Sequence, residues 1–145
     1  MKEFITRLRI MIIEDWQGES AMAVEESKAI IRQWIAARNA NDVETAVTFW
    51  VEEQQAGLRV AFQGFSESFP DLHVTITDMV GEGEKVAVWW CLEATHRGPF
   101  QGIPATSQRI TWKGVDLYTV RDHKIVDDAR IADNLGLLRQ LGAIE

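Results

Sequence analysis

The sequence predicts an α+β fold in which helices from the first half of the chain pack on a curved antiparallel sheet from the second half. Apolar residues recur at helical spacing before Pro70 and alternate with polar residues after it. Helices followed by strands indicate this class and not a doubly wound parallel sheet. The last two apolar runs, 110–120 and 124–132, are joined by Arg121, Asp122 and His123 alone. So short a turn permits only antiparallel pairing.

The first segment of the chain fits two structures equally well. In residues 3–16, alternating apolar residues suit an amphipathic strand, whereas Ile5, Leu8, Ile12 and Trp16 would stripe a helix. Gly18 separates this segment from the next one. Ser20 has the properties of an N-cap, which predicts a helix over residues 21–37.

Two more helices are predicted before the sheet. Asn41, with Glu44 three positions later, resembles a capping box and predicts a helix over 42–50. Leu58, Phe62 and Phe65 continue at helical spacing, which predicts a helix over 55–67 that ends before Pro70.

Four runs near residues 72–80, 85–96, 107–120 and 124–132 are predicted to form the antiparallel sheet. A glycine-rich turn, residues 81–84, joins the first two runs, and Asn134 begins a short C-terminal helix. No repeat, low-complexity tract or linker appears, and 145 residues suit a single domain.

Composition and charge exclude several classes of protein. A net charge of −7 argues against a nucleic-acid partner, because phosphate binding needs a basic face. Cys91 is the single cysteine and is predicted to be a small buried hydrophobe. No apolar run reaches membrane-spanning length, and the start of the chain lacks a signal-peptide pattern. We therefore expect a cytoplasmic protein without a membrane partner.

Three stretches carry a family resemblance: FPDLHV (69–74), THRGPFQGIPATSQR (95–109) and NLGLLRQLG (134–142). With the hairpin between the last two, they resemble SnoaL-like polyketide cyclases, which belong to the nuclear-transport-factor-2-like superfamily of conical, cystatin-like α+β folds. The resemblance is close over residues 69–142 and covers the helical half in outline. It implies a cone that holds a small hydrophobic molecule and works without a cofactor.

The resemblance also marks two departures from the family. The family begins near Ala23, so residues 1–18 are interpreted as an N-terminal extension of a domain covering 19–145. Relatives carry an extended segment between the second and third helices, whereas here Trp50 leads almost directly into Glu52. One open interpretation is that residues 4–13 fill this gap as a strand.

Strand alternation groups the residues of the hairpin, because alternate residues share a face. One group is Trp112, Gly114, Asp116 and Tyr118, and the other is Val126, Asp128, Arg130 and Ala132. The resemblance implies that both groups face into the cone. In the family register, the general acid/base aspartate falls on Arg130 and its assisting histidine on Asp116. A bulge between Asp127 and Asp133 would instead turn one of those two residues inward.

Four roles remain open for Asp116, Arg130 and Asp128, the candidate catalytic residues. In a cyclase-like step, Asp116 would abstract a proton and Arg130 would stabilise the enolate. Arg130 cannot itself be the acid/base, because guanidinium keeps its proton. In limonene-epoxide-hydrolase-like relatives an Asp–Arg–Asp set activates water. The third role is non-catalytic binding of a hydrophobic ligand, and the fourth is a structural ion pair.

Aromatic residues are the candidate ligand-binding groups, although a core role explains them as well. The predicted set, with one histidine from a family signature, is Trp34, Trp50, Trp90, His96, Trp112 and Tyr118. His96 fits a loop contact better than a ligand contact, and His73 and His123 are expected in solvent. The scattered histidines and acidic residues lack metal-ligand spacing. A drug-sized ligand requires a cavity of about 300 Å³ or more.

The outer face of the sheet predicts self-association. Trp89, Val115 and Leu117 should lie on the convex side, where they would form an apolar patch. A homodimer through this patch is the expected assembly.

Overall fold

The computed structural model describes the backbone of residues 1–145 and all side chains except those of residues 8, 11, 12, 14 and 15. Along this backbone the helices are α1 (Lys2–Asn39), α2 (Val43–Val47), α3 (Glu52–Ser68) and α4 (Asn134–Gln140). The strands are β1 (His73–Glu82), β2 (Lys85–Thr95), β3 (Arg109–Arg121) and β4 (Lys124–Ala132). They form one antiparallel sheet in the order β1-β2-β3-β4, which confirms the predicted fold class.

Helix α1 is far longer than predicted, because it runs unbroken from Lys2 to Asn39. Residues 3–16 are therefore helical, and the interpretation of 4–13 as a gap-filling strand is wrong. Neither Gly18 nor Ser20 marks a helix start, since one glycine costs a helix only about 1 kcal/mol and elongation is cooperative. Leu8 and Ile12 of the proposed stripe lie outside the described side chains, and Phe4, Ile5, Ile10, Ile13 and Trp16 are exposed.

Helix α2 is shorter than the predicted 42–50 and is capped by a different residue. Asp42, not Asn41, is the N-cap, and its Oδ1 accepts a hydrogen bond from the Thr45 backbone N–H at 3.1 Å. Asn41 instead has a φ of 54°, in the left-handed region that asparagine tolerates. Helix α3 begins three residues before the predicted Gln55, at Glu52.

The chain after α2 touches the sheet through one bridge, and α3 follows almost directly, as predicted from the missing extended segment. Trp50 pairs with Ile125 of β4 in parallel orientation. The Ile125 N–H donates to the Phe49 carbonyl at 2.8 Å, and the Val51 N–H donates to the Ile125 carbonyl at 3.0 Å. This bridge places the Trp50 ring beneath the sheet.

The β3–β4 hairpin fixes the register of the candidate site. Its loop contains two residues, Asp122 and His123, because Arg121 already pairs with Lys124. Their φ values of 50° and 61° are those of a type I′ turn. A bulge at Val126 turns Ile125 into the core, so the prediction that Val126 faces inward is wrong. From Asp127 onward the pairing is regular, and Asp116 lies directly opposite Arg130.

The concave face of the sheet holds the core, and the convex face is partly apolar. Ile31, Trp34 and Ile35 of α1 pack against buried strand residues such as Val86 and Val88. On the convex side, Trp89 is 41% exposed and Leu117 is 39% exposed, while Val115 is half-buried. The homodimer stays a prediction. Within the described residues, no helix is both long enough and apolar enough to cross a membrane.

Candidate functional site

A cavity of about 170 Å³ lies between the concave face of the sheet and helices α1 and α3. Its lining is Trp34, Ile35, Arg38, Trp50, Leu58, Ala61, Phe62, Phe65, Val74, Trp90, Leu92, Trp112, Asp116, Tyr118, Asp128 and Arg130. The cavity is smaller than the predicted ~300 Å³ of a drug-sized site. It resembles in size an engineered cavity of about 150 Å³ that binds benzene. One aromatic ring therefore fits inside, and a larger ligand must extend through the opening.

Asp116 and Arg130 form a two-pronged ion pair at one wall of this cavity. The Arg130 Nε–Asp116 Oδ1 and Nη2–Oδ2 distances are both 2.7 Å. The Asp116 side chain is 2% exposed, whereas that of Arg130 is 44% exposed. The bidentate geometry holds the guanidinium at a fixed position and angle. Arg130 thus stands between the buried carboxylate and the open side of the cavity.

Two further donors complete the surroundings of Asp116. The Trp90 indole Nε1–H donates to Oδ1 at 2.9 Å, and the Tyr118 hydroxyl donates to Oδ2 at 3.1 Å. Tyr118 in turn accepts from Trp34 Nε1 at 3.3 Å. Each carboxylate oxygen therefore has two donors, which use the lone pairs available to it. This network is the structural reason why an aspartate is stable at so buried a position.

Tyr118 and Arg130 both keep their protons in this network. Burial and the negative charge of Asp116 raise the pKa of Tyr118 above its usual range, so its hydroxyl keeps its proton. Burial alone would lower the pKa of Arg130, but the hydrogen bonds and charge of Asp116 outweigh burial and raise it. Tyr118 is therefore a neutral donor, and Arg130 is a permanent cation.

Asp128 lies beside the same guanidinium in a different environment. Its Oδ2 is 4.0 Å from Arg130 Nη2, and its side chain is 33% exposed. No hydrogen bond to its carboxylate occurs among the described side chains. Burial raises the pKa of Asp128, and the positive charge of Arg130 opposes this shift without cancelling it. Asp128 has free lone pairs and an increased proton affinity, the properties of a general base.

Two indole donors at the cavity have no partner. Trp50 and Trp112 are buried, and their Nε1 atoms make no hydrogen bond within the described part of the chain. Trp112 packs edge-on against Trp90 at 5.5 Å between ring centroids, and Trp50 packs in the same way against Trp34 at 5.5 Å. A buried donor without a partner costs about 1–3 kcal/mol. Both Nε1 atoms are themselves buried, so a ligand oxygen would bind them only after the rings rotate toward the cavity.

Replacing Trp112 with the isosteric 3-benzothienylalanine tests this point, because sulfur replaces the N–H and the ring shape is kept. We expect the free energy of unfolding without ligand to rise by about 1 kcal/mol, since a buried unsatisfied donor is removed. Urea unfolding measures the change. The same replacement at Trp90 is the matched control and should destabilise, because its N–H binds Asp116. Equal destabilisation at both positions would contradict the prediction.

Sequence reasoning missed one charged residue of the cavity, Arg38. It lies one helical turn after Trp34 on α1, and its guanidinium carbon is 4.9 Å from the Phe62 ring and 5.3 Å from the Phe65 ring. Burial, and then the nearby positive charge of Arg130, lower the pKa of Arg38 to about 10. The sequence did contain a signal for Arg38, because it follows Trp34 by four residues and the two therefore share one helix face.

His96 is the predicted ligand-binding residue that the structure places elsewhere. It is fully buried but does not line the cavity, so its assignment as a ligand-binding residue is corrected. Its Nδ1 accepts from the Thr106 N–H at 3.2 Å and lies 3.0 Å from Thr106 Oγ1, and its ring packs on Phe69. His96 therefore fixes the loop between β2 and β3. His73 and His123 are exposed, as predicted.

The structure brings the other predicted site residues together: Trp34, Trp50, Trp90, Trp112, Asp116, Tyr118, Asp128 and Arg130 all line the cavity. Among the residues with described side chains, no cluster of three His, Cys, Asp or Glu residues could hold a metal ion.

Comparison with known proteins identifies the relatives of this chain. The family model for SnoaL-like polyketide cyclases matches residues 28–141. No curated protein matches the sequence.

Three solved structures from Streptomyces share the fold. AclR from Streptomyces galilaeus, a proposed hydroxylase, is 26% identical with a TM-score of 0.77, over 84% of this chain and 99% of AclR. TsrD from Streptomyces laurentii is 27% identical with a TM-score of 0.75, over 83% of this chain and 97% of TsrD. IdmH from Streptomyces antibioticus, a proposed polyketide cyclase, is 26% identical with a TM-score of 0.72, over 80% of this chain and 98% of IdmH.

Proposed function

The chain belongs to the SnoaL-like polyketide cyclase family, and from that premise we propose that it acts on a small hydrophobic carbonyl compound in the cavity, with Asp128 as the acid/base and Arg130 in place of the usual catalytic aspartate. The observation that carries this proposal is the contrast between the two carboxylates. Asp116 is fully hydrogen-bonded, whereas Asp128 has free lone pairs and a raised pKa. Both lie at Arg130.

The role of Asp116 in this proposal is to position Arg130. As a base it would have to accept a substrate proton on an oxygen that already has two donors, and this would break the ion pair. Its buried carboxylate fixes the guanidinium where a substrate oxygen can reach it. The sequence-based expectation that Asp116 abstracts the proton is therefore replaced by the assignment of Asp128.

The proposed reaction is an intramolecular aldol step. The substrate carbonyl oxygen accepts hydrogen bonds from the Arg130 guanidinium, which has N–H groups beyond the two that bind Asp116. Asp128 takes the proton from the carbon next to that carbonyl, and Arg130 stabilises the enolate that forms. The enolate carbon attacks a second carbonyl carbon, which closes the ring. Protonated Asp128 then returns the proton to the new alkoxide.

The unpartnered indole donors support a ligand that carries oxygen. A purely hydrocarbon ligand would leave the Nε1–H groups of Trp50 and Trp112 unsatisfied. A carbonyl or hydroxyl oxygen would satisfy an indole N–H that a rotation of its ring exposes to the cavity, and would then bind more tightly than its hydrocarbon analogue.

The second candidate function is epoxide hydrolysis, which the arrangement of Arg130 between two carboxylates favours. Its Nη2 is 2.7 Å from Asp116 and 4.0 Å from Asp128. In this reaction Asp128 would take a proton from a water whose oxygen attacks an epoxide carbon. The C–O bond of that carbon breaks, Arg130 stabilises the alkoxide that forms, and protonated Asp128 returns the proton to it. The mass of the product separates the two functions, because hydrolysis adds one water to the substrate and aldol cyclisation leaves the mass unchanged.

Asp128→Asn tests the base directly. We expect the protein to catalyse hydrogen–deuterium exchange at the acidic carbon of 2-tetralone, a bicyclic ketone, and the variant to lose about 100-fold or more of this rate. NMR in deuterated water measures it. The wild-type rate should rise with pH and reach half its maximum above the ordinary aspartate value of 3.8, because the base form is needed and burial raises the pKa of Asp128.

Asp127→Asn is the matched control, since Asp127 is adjacent but exposed on the other face of β4. It should keep the wild-type exchange rate within about two-fold, as expected for an exposed residue without contacts to the site. Full activity of the Asp128→Asn variant would overturn the assignment of the base. Binding of 2-tetralone without any exchange by the wild type would favour the non-catalytic binding protein.

A further inference from the structure

Arg38 is a cation at the cavity whose charge lacks a protein counterion. No carboxylate lies within 4.0 Å of it, and no acceptor takes a hydrogen bond from its side chain, among the described side chains. Two arginines elsewhere in this fold show the usual arrangement, because Arg59 binds Glu44 and Arg121 binds Glu84. Arg38 has no such partner among the described side chains, and it lies at the cavity.

The aromatic contacts of Arg38 do not replace an anion. Phe62 and Phe65 lie against the guanidinium and favour its positive charge. Their rings hold the guanidinium in place but accept no conventional hydrogen bond from its five N–H groups. The guanidinium is thus positioned and still has its donors free.

The carboxylates of the cavity cannot neutralise Arg38. Asp116 is engaged by Arg130 and two neutral donors, and Asp128 lies against Arg130 with a pKa raised by burial. Burial, and then the positive charge of Arg130, lower the pKa of Arg38 to about 10. Because both carboxylates of the cavity lie at Arg130, an anionic ligand at Arg38 would supply the counterion that the described side chains do not.

We propose that the cavity binds an aromatic carboxylic acid, with its ring among the tryptophans and its carboxylate on the Arg38 guanidinium. Arginine matches a carboxylate through two parallel hydrogen bonds, a geometry that a neutral amide cannot reproduce. The inference rests on the proposed function only in taking this cavity as the ligand site, and it names the class of ligand. The carboxylate binds at α1, and a carbonyl on the same molecule lies at Arg130 on β4.

The experiment compares 2-naphthoate with 2-naphthamide, which has the same shape but no charge. Isothermal titration calorimetry with the full chain should show that naphthoate binds at least about ten-fold more tightly, the effect of one charged hydrogen-bonded pair. Arg38→Gln should remove this preference by weakening naphthoate about ten-fold while changing naphthamide less than about two-fold. Arg38→Lys keeps the charge and should keep part of the preference for naphthoate. If the glutamine variant does not fold, this partial loss of the preference is the result to be measured.

Arg32→Gln is the matched control, because Arg32 lies on the same helix and is exposed. It should bind both compounds like the wild type. Equal binding of the two compounds, binding of neither, or an unchanged preference in both Arg38 variants would overturn the proposal. Asp128→Asn should retain the preference for naphthoate, so a failure of the proposed chemistry and a failure of the carboxylate site give different results.

Discussion

Replacing Asp116 with asparagine is expected to lower the free energy of unfolding by about 3 kcal/mol. The change removes one member of an ion pair whose carboxylate is 2% exposed, and it leaves Arg130, Trp90 and Tyr118 competing for a single amide oxygen. Breaking a buried pair typically costs about 3–5 kcal/mol, and the lower end applies because Arg130 reaches solvent. Urea unfolding followed by tryptophan fluorescence measures the loss.

Glu84→Gln provides the control for this prediction. Glu84 binds Arg121 with the same two-pronged geometry, at 3.0 and 2.8 Å, but their side chains are 52% and 56% exposed. Solvent screens such a pair, so its loss should cost far less than the loss of the Asp116 pair. Similar costs for both variants would show that burial does not strengthen the Asp116 pair. An asparagine variant at position 116 that is fully stable but inactive would make Asp116 a catalytic residue.

Gly114→Ala is the second change with a large expected effect. A Cβ at this position would lie 2.5 Å from Cζ2 of Trp90 and 2.7 Å from the Ile131 carbonyl oxygen. Neither contact can relax easily, because one partner is backbone and the other is a buried ring bound to Asp116. We expect a loss of about 3 kcal/mol, at the upper end for overpacking, together with weaker binding of aromatic ligands.

Gly64→Ala is the matched substitution for comparison. Gly64 lies within α3, and an added Cβ would meet no atom within 4 Å. Alanine should therefore stabilise the helix by up to about 1 kcal/mol. Thermal unfolding measures both changes in stability, which should be a loss for Gly114→Ala and a gain for Gly64→Ala. Stability of Gly114→Ala equal to that of the wild type would mean that β3 and β4 can separate without cost.

The hairpin could be predicted from the sequence because its signals are local. The very short turn fixes the pairing at its own end, where counting alone would put Asp116 opposite Ala129. The bulge at Val126 shifts the register by one residue, so the opposition of Asp116 and Arg130 was predicted from the family register and not from the turn. The family and the fold class, both confirmed, rested on such local motifs as well. The catalytic roles of Asp116, Asp128 and Arg130 stay predictions.

Other features depend on packing between distant segments and were not predictable in the same way. The spacing in residues 3–16 fits a strand and a helix equally, so the length of α1 could not be decided locally. The cavity volume depends on how the tryptophan rings pack, which composition does not determine. Arg38 was overlooked because a charged residue on an apolar helix face is ordinarily directed to solvent, whereas α3 brings Phe62 and Phe65 against it.

The length of α1 also determines how the protein moves in solution. A helix of 38 residues is about 57 Å long, whereas a compact chain of 145 residues has a radius of gyration of about 15 Å. The described side chains of residues 1–19 are exposed, so roughly 27 Å of this helix projects beyond the sheet domain. The particle is therefore anisotropic, and it tumbles and diffuses more slowly than a sphere of the same mass.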